Sequence, residues 1–201
     1  MPGATGGANW PGAAIDPETG WLYVPSQTRP HVIQIEPADP TTSDFAYRRG
    51  GGARLEGPQG LPLFKPPYTR VSAFDLNTGT LAWMQPLGDG PRQTVMDLGI
   101  SDPGPLGGSL YTGPLVTKTA LFLGLRGDDA PNLGAGGGRF PTDAPPTFNA
   151  YDKTTGRLLG SVALDVPPTG TPMTYELEGR QFLVVAYGTG DAAGLVALAL
   201  D

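Results

Sequence analysis

The 201 residues include 31 glycines and 23 prolines, a density at which long helices cannot propagate, and Lys and Glu, the usual exposed-helix residues, total only eight. Leu, Ile, Val and Phe nevertheless number 44 and the net charge is only -6, so the composition is that of a turn-rich all-β protein with a core, not of a disordered chain. The excess of 19 carboxylates over 13 basic side chains excludes an electrostatic footprint for nucleic acid or an anionic membrane, and zero cysteines exclude disulfides, thiolate zinc sites and cysteine nucleophiles.

In chain order, the start from Met1 to Gly7 carries neither the basic and apolar regions of a secretory signal nor a membrane span, as expected of a cytoplasmic protein or of one whose true beginning lies upstream. The first recurrent pattern follows at Ala14-Ile15-Asp16-Pro17-Glu18-Thr19-Gly20. It returns at Ala73-Phe74-Asp75-Leu76-Asn77-Thr78-Gly79 and at Ala150-Tyr151-Asp152-Lys153-Thr154-Thr155-Gly156, giving three copies of A-x-D-x-x-T-G. The pattern predicts a β-hairpin turn, with the Asp carboxylate accepting backbone N–H groups and Gly in the φ > 0 position. Strand-length runs flank the copies at Trp21-Leu22-Tyr23-Val24, Val71-Ser72-Ala73-Phe74, Leu81-Ala82-Trp83 and Arg157-Leu158-Leu159.

Between and after the copies, residues 113–124 read strand, turn, strand, residues 173–187 read the same through Glu178-Gly179, and Leu195 to Leu200 is the last strand. Gly/Pro/Asp-rich loops are expected at 36–69, 88–112 and 126–147. Four-stranded units joined by long loops describe propeller blades. The rival is a two-sheet sandwich, whose turn signals would recur every 8 to 12 residues or so without such loops.

Four segments carry a family resemblance: Gly6-Gly7-Ala8-Asn9-Trp10-Pro11-Gly12-Ala13-Ala14, the hairpin ending in Trp83, Gly113-Pro114-Leu115-Val116-Thr117-Lys118, and Gly170-Thr171-Pro172-Met173-Thr174-Tyr175. Together they resemble the C-terminal part of the pyrroloquinoline quinone (PQQ)-dependent dehydrogenases, in particular the membrane-bound glucose dehydrogenase type. The resemblance implies an eight-bladed propeller of four-stranded antiparallel blades, with PQQ and calcium on the axis, oxidising sugars or alcohols in the periplasm and passing electrons to a quinone acceptor. This chain would hold about two and a half blades: one over about 8–87, one over about 109–165 and an incomplete one over about 170–201.

The family's docking pattern, A-x-D-x-x-T-G-x-x-x-W, is complete only from Ala73 to Trp83, whose indole is expected to pack on the neighbouring blade. Gly160 stands at the tryptophan position of the third copy and Val24 at that of the first. The resemblance places the catalytic residues and calcium ligands upstream, so no catalytic or metal residue is assigned here. Of the cofactor pocket it carries over Asn9, whose amide would bond the quinone, and Trp10. A C-terminal fragment inactive as an isolated chain, self-associating through open blade edges, is the expected behaviour; a non-catalytic propeller scaffold is the alternative.

Other candidates read as ordinary structure. Lys65, in Leu61-Pro62-Leu63-Phe64-Lys65-Pro66-Pro67-Tyr68, could line a substrate entrance but reads as a solvated lysine. Gly127-Asp128-Asp129-Ala130-Pro131-Asn132 lacks the spaced ligands of a calcium loop. Gly134-Ala135-Gly136-Gly137-Gly138-Arg139 starts like a dinucleotide fingerprint but has Arg139 in sixth place and no βαβ context. His31 has no G-x-S-x-G serine to serve, and Glu176 and Glu178 are expected on the solvent face of a strand.

Overall fold

The computed structural model describes residues 6–51, 57–127, 144–188 and 190–199. Strands β1 (Ala14–Asp16) and β2 (Trp21–Gln27) form a hairpin, and a two-stranded ribbon of β3 (Ile35–Pro37) and β4 (Tyr47–Arg49) rises from the loop that follows. A second hairpin, β5 (Thr69–Asp75) and β6 (Thr80–Pro86), pairs with β2 to complete an antiparallel sheet in the order β1-β2-β5-β6. After a short helix, α1 (Arg92–Asp97), the second sheet comprises β7 (Leu115–Val116), β8 (Ala120–Leu125), β9 (Thr147–Asp152) and β10 (Leu158–Ala163) in chain order. The third comprises β11 (Pro168–Leu177), β12 (Arg180–Tyr187) and β13 (Gly194–Ala199).

All three repeats of A-x-D-x-x-T-G are hairpin turns built as their residues predict. The carboxylate of Asp16 accepts from Glu18 N at 3.1 Å and Thr19 Oγ1 at 2.8 Å, that of Asp75 from Asn77 N at 2.8 Å, and that of Asp152 from Thr154 N and Thr155 N at 2.9 and 2.8 Å. Each closing glycine donates its N–H to the Asp carbonyl at 2.8 Å from a left-handed backbone, with φ of 73° at Gly20, 70° at Gly79 and 74° at Gly156.

The sheets stack face to face through the two sides of β8, whose six residues are all buried. Period-two geometry sends Leu121, Leu123 and Leu125 one way, into a cluster with Tyr23, Val71, Ala73 and Leu87 of the first sheet region. The alternate residues Ala120 and Phe122 face the opposite way and meet Phe148, Leu183 and Val185. Each fully buried Leu contributes about 1.5–3 kcal/mol, so this one strand welds three sheets.

Trp83 supplies the docking expected of it. Its indole Nε1 donates to the carbonyl of Lys153 at 3.1 Å, in the turn of the second sheet, and its ring lies over Gly156. The outer faces remain uncovered: the cross-strand row Ile15, Leu22, Phe74, Leu81 spans the first sheet, and Ile15 and Leu81 are more than half exposed. Met173, Leu177 and Leu195 play the same part on the third.

Two loops hold more structure than their composition predicts. The first carries the β3–β4 ribbon, joined by an Arg48–Glu36 ion pair at 3.4 Å, and a 3-10 turn at Pro58–Gly60. In the second, α1 buries Val95 against Tyr68 and Leu106, and Arg92 ties the loop together through Asp89 at 2.6 Å and the Gly104 carbonyl at 2.7 Å. The third loop lies mostly outside the described residues.

Candidate functional site

The segment before β1 is fastened to the end of β2 by a hydrogen bond from Gln27 N to the Gly7 carbonyl at 2.9 Å, and it turns back through Gly12 N to the Asn9 carbonyl at 2.8 Å. Asn9 and Trp10 therefore stand on the tip of a tight turn. Both are exposed, Trp10 at 95%, so this indole belongs to no core. The tip faces a cleft of about 470 Å³.

All three sheets contribute to that cleft. The first brings Gln27 and, just beyond β2, Arg29; the second brings Tyr111 and, just beyond β8, Arg126; the third brings Thr169 to Thr171. The register of β11 against β12 shifts between Thr169 and Met173, a bulge that releases Gly170 and Thr171 from the ladder, and Gly170 sits at φ 71°. The three meet at Gly113, which donates to the Gly170 carbonyl at 3.0 Å and where an added Cβ would collide with Thr171 Oγ1 and come within 2.8 Å of the Pro11 carbonyl.

The cleft's described lining contains two arginines and no carboxylate, although the chain is acidic. Burial holds both guanidinium groups below the usual arginine range and pushes the Tyr111 hydroxyl up to about 12, so the phenol keeps its proton at any physiological pH. Arg126 is only 8% exposed, yet among the described residues its Nε has no hydrogen-bond partner, and neither has the buried Oε1 of Gln27. Buried polar atoms of this kind are normally paired, so an orphan donor and an orphan acceptor in the lining of one cleft mark it as built for a ligand.

Asn9 and Trp10, which the resemblance carries over to a cofactor pocket, both line this cleft; Gln27, Arg29, Tyr111 and Arg126 line it too and were not singled out from the sequence. The one available signal was Arg126 itself, a charge ending the apolar run from Ala120 to Leu125. Lys65 is exposed in its proline-rich loop and is not part of the lining. His31 sits in a loop with Nδ1 3.0 Å from the Arg29 carbonyl. Glu176 is an exposed strand residue, but Glu178 is not: it occupies the β11–β12 turn at φ 54°, a correction that follows from the two-residue hairpin Glu178-Gly179. Beyond Gly127, the acidic run to Asn132 and the glycine run Gly134 to Arg139 lie outside the described residues.

Two four-stranded antiparallel sheets and a three-stranded one, stacked face to face with the first docked on the second through Trp83, define a section of a β-propeller. The chain belongs to the PQQ glucose/ethanol/alcohol dehydrogenase β-propeller family, whose model matches residues 1–183. It is 25% identical to the quinate/shikimate dehydrogenase (quinone) of Acinetobacter baylyi, over 94% of this chain and 24% of that protein. With the quinoprotein glucose dehydrogenase A of Acinetobacter calcoaceticus it shares 26% identity over 100% of this chain and 26% of the other. The quinohemoprotein alcohol dehydrogenase of Comamonas testosteroni superposes with a TM-score of 0.56 at 22% identity, over 93% of this chain and 23% of that one. The chain thus spans about a quarter of the length of the relatives it matches. Among the described residues, no helix is long and apolar enough to cross a membrane.

Proposed function

We infer that this chain acts as the C-terminal part of a periplasmic PQQ-dependent dehydrogenase that oxidises a sugar or alcohol and passes electrons to a quinone acceptor. The observation that carries the reading is the exposed Asn9–Trp10 tip over a cationic cleft with orphan polar atoms, in a chain of this family. A planar, oxygen-rich cofactor suits those residues. Trp10 offers a bare indole face for stacking, the Asn9 amide offers a donor and an acceptor to quinone oxygens, and the protonated Tyr111 hydroxyl offers a donor at the cleft wall. Bound PQQ supplies a two-electron acceptor for alcohol oxidation.

Alcohol oxidation also needs a general base, and no described lining residue is a carboxylate or histidine. In this reading the remaining blades of the larger enzyme bring the base and the calcium ion, and the isolated chain is inactive. The test is titration of PQQ with calcium into the chain, read by tryptophan fluorescence. Quenching that disappears in Trp10→Phe and weakens in Asn9→Ala is the expected result; no saturable quenching would overturn the reading. Dye-linked oxidation of glucose or ethanol above the protein-free control would overturn the inactivity.

A further inference from the structure

Resting on that reading of the cleft, we propose that Arg126 and Gln27 form a substrate subsite for a hydroxy acid, with Arg126 binding its carboxylate and Gln27 one of its hydroxyls. Arg126 is fixed by its backbone, which donates to the Leu110 carbonyl at 2.8 Å, and the residue lines the cleft. The Nε–H has no acceptor among the described residues, and no described lining residue carries a countercharge. A buried guanidinium left in that state is costly, and the ligand that relieves it best is an anion able to accept a charge-assisted hydrogen bond.

The second orphan narrows the class. Gln27 Oε1 is an acceptor, so it repels a carboxylate oxygen and asks for a hydroxyl donor. One ligand bearing both groups satisfies both atoms. A neutral sugar offers hydroxyls to each but leaves the buried positive charge uncompensated. Arg29, on the same lining and itself depressed by desolvation, adds to the positive potential there.

The experiment uses the 201-residue chain, free and with PQQ, titrated with quinate and with glucose by calorimetry and ligand-observed NMR. Quinate should bind about tenfold more tightly than glucose, and Arg126→Met should abolish the preference. The melting temperature of Arg126→Met should be no lower than that of the parent, because Nε gives up no partner among the described residues; a structural arginine would lower it. Gln27→Leu reads the hydroxyl half independently and should weaken quinate with the acid preference retained. Quinate binding no better than glucose, a preference that survives Arg126→Met, or a loss confined to PQQ affinity, which would give the guanidinium to a cofactor carboxylate, would each overturn the subsite. If PQQ quenches Trp10 while quinate binding ignores Arg126, the subsite falls alone. Arg126-dependent quinate binding without PQQ quenching removes the quinone reading and leaves the subsite standing.

Discussion

Lys153 Nζ, in the third copy of the repeated turn, lies 2.6 Å from Oδ2 of Asp16, in the first copy, with side chains only 12% and 5% exposed. The turn that closes β1 and β2 is thus bolted to the turn that closes β9 and β10, across the interface between two sheets. A neighbouring tie, Asn77 Nδ2 to the Thr19 carbonyl at 2.8 Å, links the first copy to the second.

Breaking that ion pair leaves one charge buried. Asp16→Asn is expected to destabilise the chain by about 3 kcal/mol, the lower end for removing one partner of a buried pair. The Lys153 hydrogen bond is the main cause holding the Asp16 carboxyl below the usual carboxylate range, against desolvation. A carboxyl depressed on folding contributes stability that is present above its unfolded value, about 3.9, and is lost as pH falls through the lower folded value. Thermal melts from pH 7 to pH 2 should show an acid loss that is smaller in Asp16→Asn. Equal losses in both proteins would show that other carboxyls, such as Asp75 and Asp152 with their backbone hydrogen bonds, govern the acid limb.

Trp83 and its two contacts can be separated by substitution. Trp83→Ala removes a large ring from the face between two sheets, where Tyr23 lies 5.9 Å away centroid to centroid, and is expected to cost about 3 to 5 kcal/mol. Trp83→Phe keeps a ring and loses only the Nε1 bond to Lys153, for about 1 kcal/mol beyond any repacking. Urea denaturation with unchanged slope gives both values; equal effects would assign the docking wholly to the hydrogen bond.

Trp10 is the control for that experiment. At 95% exposure its removal takes nothing from a core, so Trp10→Ala should stay within about 0.5 kcal/mol of the parent. A loss as large as that of Trp83→Ala would make Trp10 a structural residue and void its assignment to the cleft.

The apolar row across the outer face of the first sheet predicts association. Ile15 and Leu81, 53% and 54% exposed, lie on a continuous surface of four strands with no cover among the described residues. The chain should bind a hydrophobic dye and sediment as more than a monomer, and Leu81→Lys together with Ile15→Lys should reduce both. A parent that sediments as a clean monomer without dye binding would contradict this.

What the sequence disclosed was what is closed within a few residues. The three turns are made by an Asp and a Gly four residues apart, and their chemistry shows in the residue letters alone. The indole of Trp83 was legible because it sits at a fixed distance after such a turn. The cleft was not, because Gln27 and Arg126 are 99 positions apart and only the stacking of the first two sheets brings them to one wall. Helix α1 escaped for a similar reason: Arg92 closes its loop onto the Gly104 carbonyl, a contact that no composition rule contains.

The three closing glycines share one letter and one backbone region, but they do not share a future under mutation. At Gly79 a side chain would meet nothing within 4 Å, and at Gly20 it would meet the amide of Asn77 at 2.9 Å, which yields only by giving up its hydrogen bond to the Thr19 carbonyl. At Gly156 it would strike the indole of Trp83 at 2.6 Å, and that ring is held by its own hydrogen bond to Lys153. Asn, the residue that best tolerates a left-handed backbone after glycine, is therefore an admissible exchange at Gly79, a tight one at Gly20 and a forbidden one at Gly156. A library randomised at all three positions and sorted for folding would recover different alphabets from a motif written identically three times.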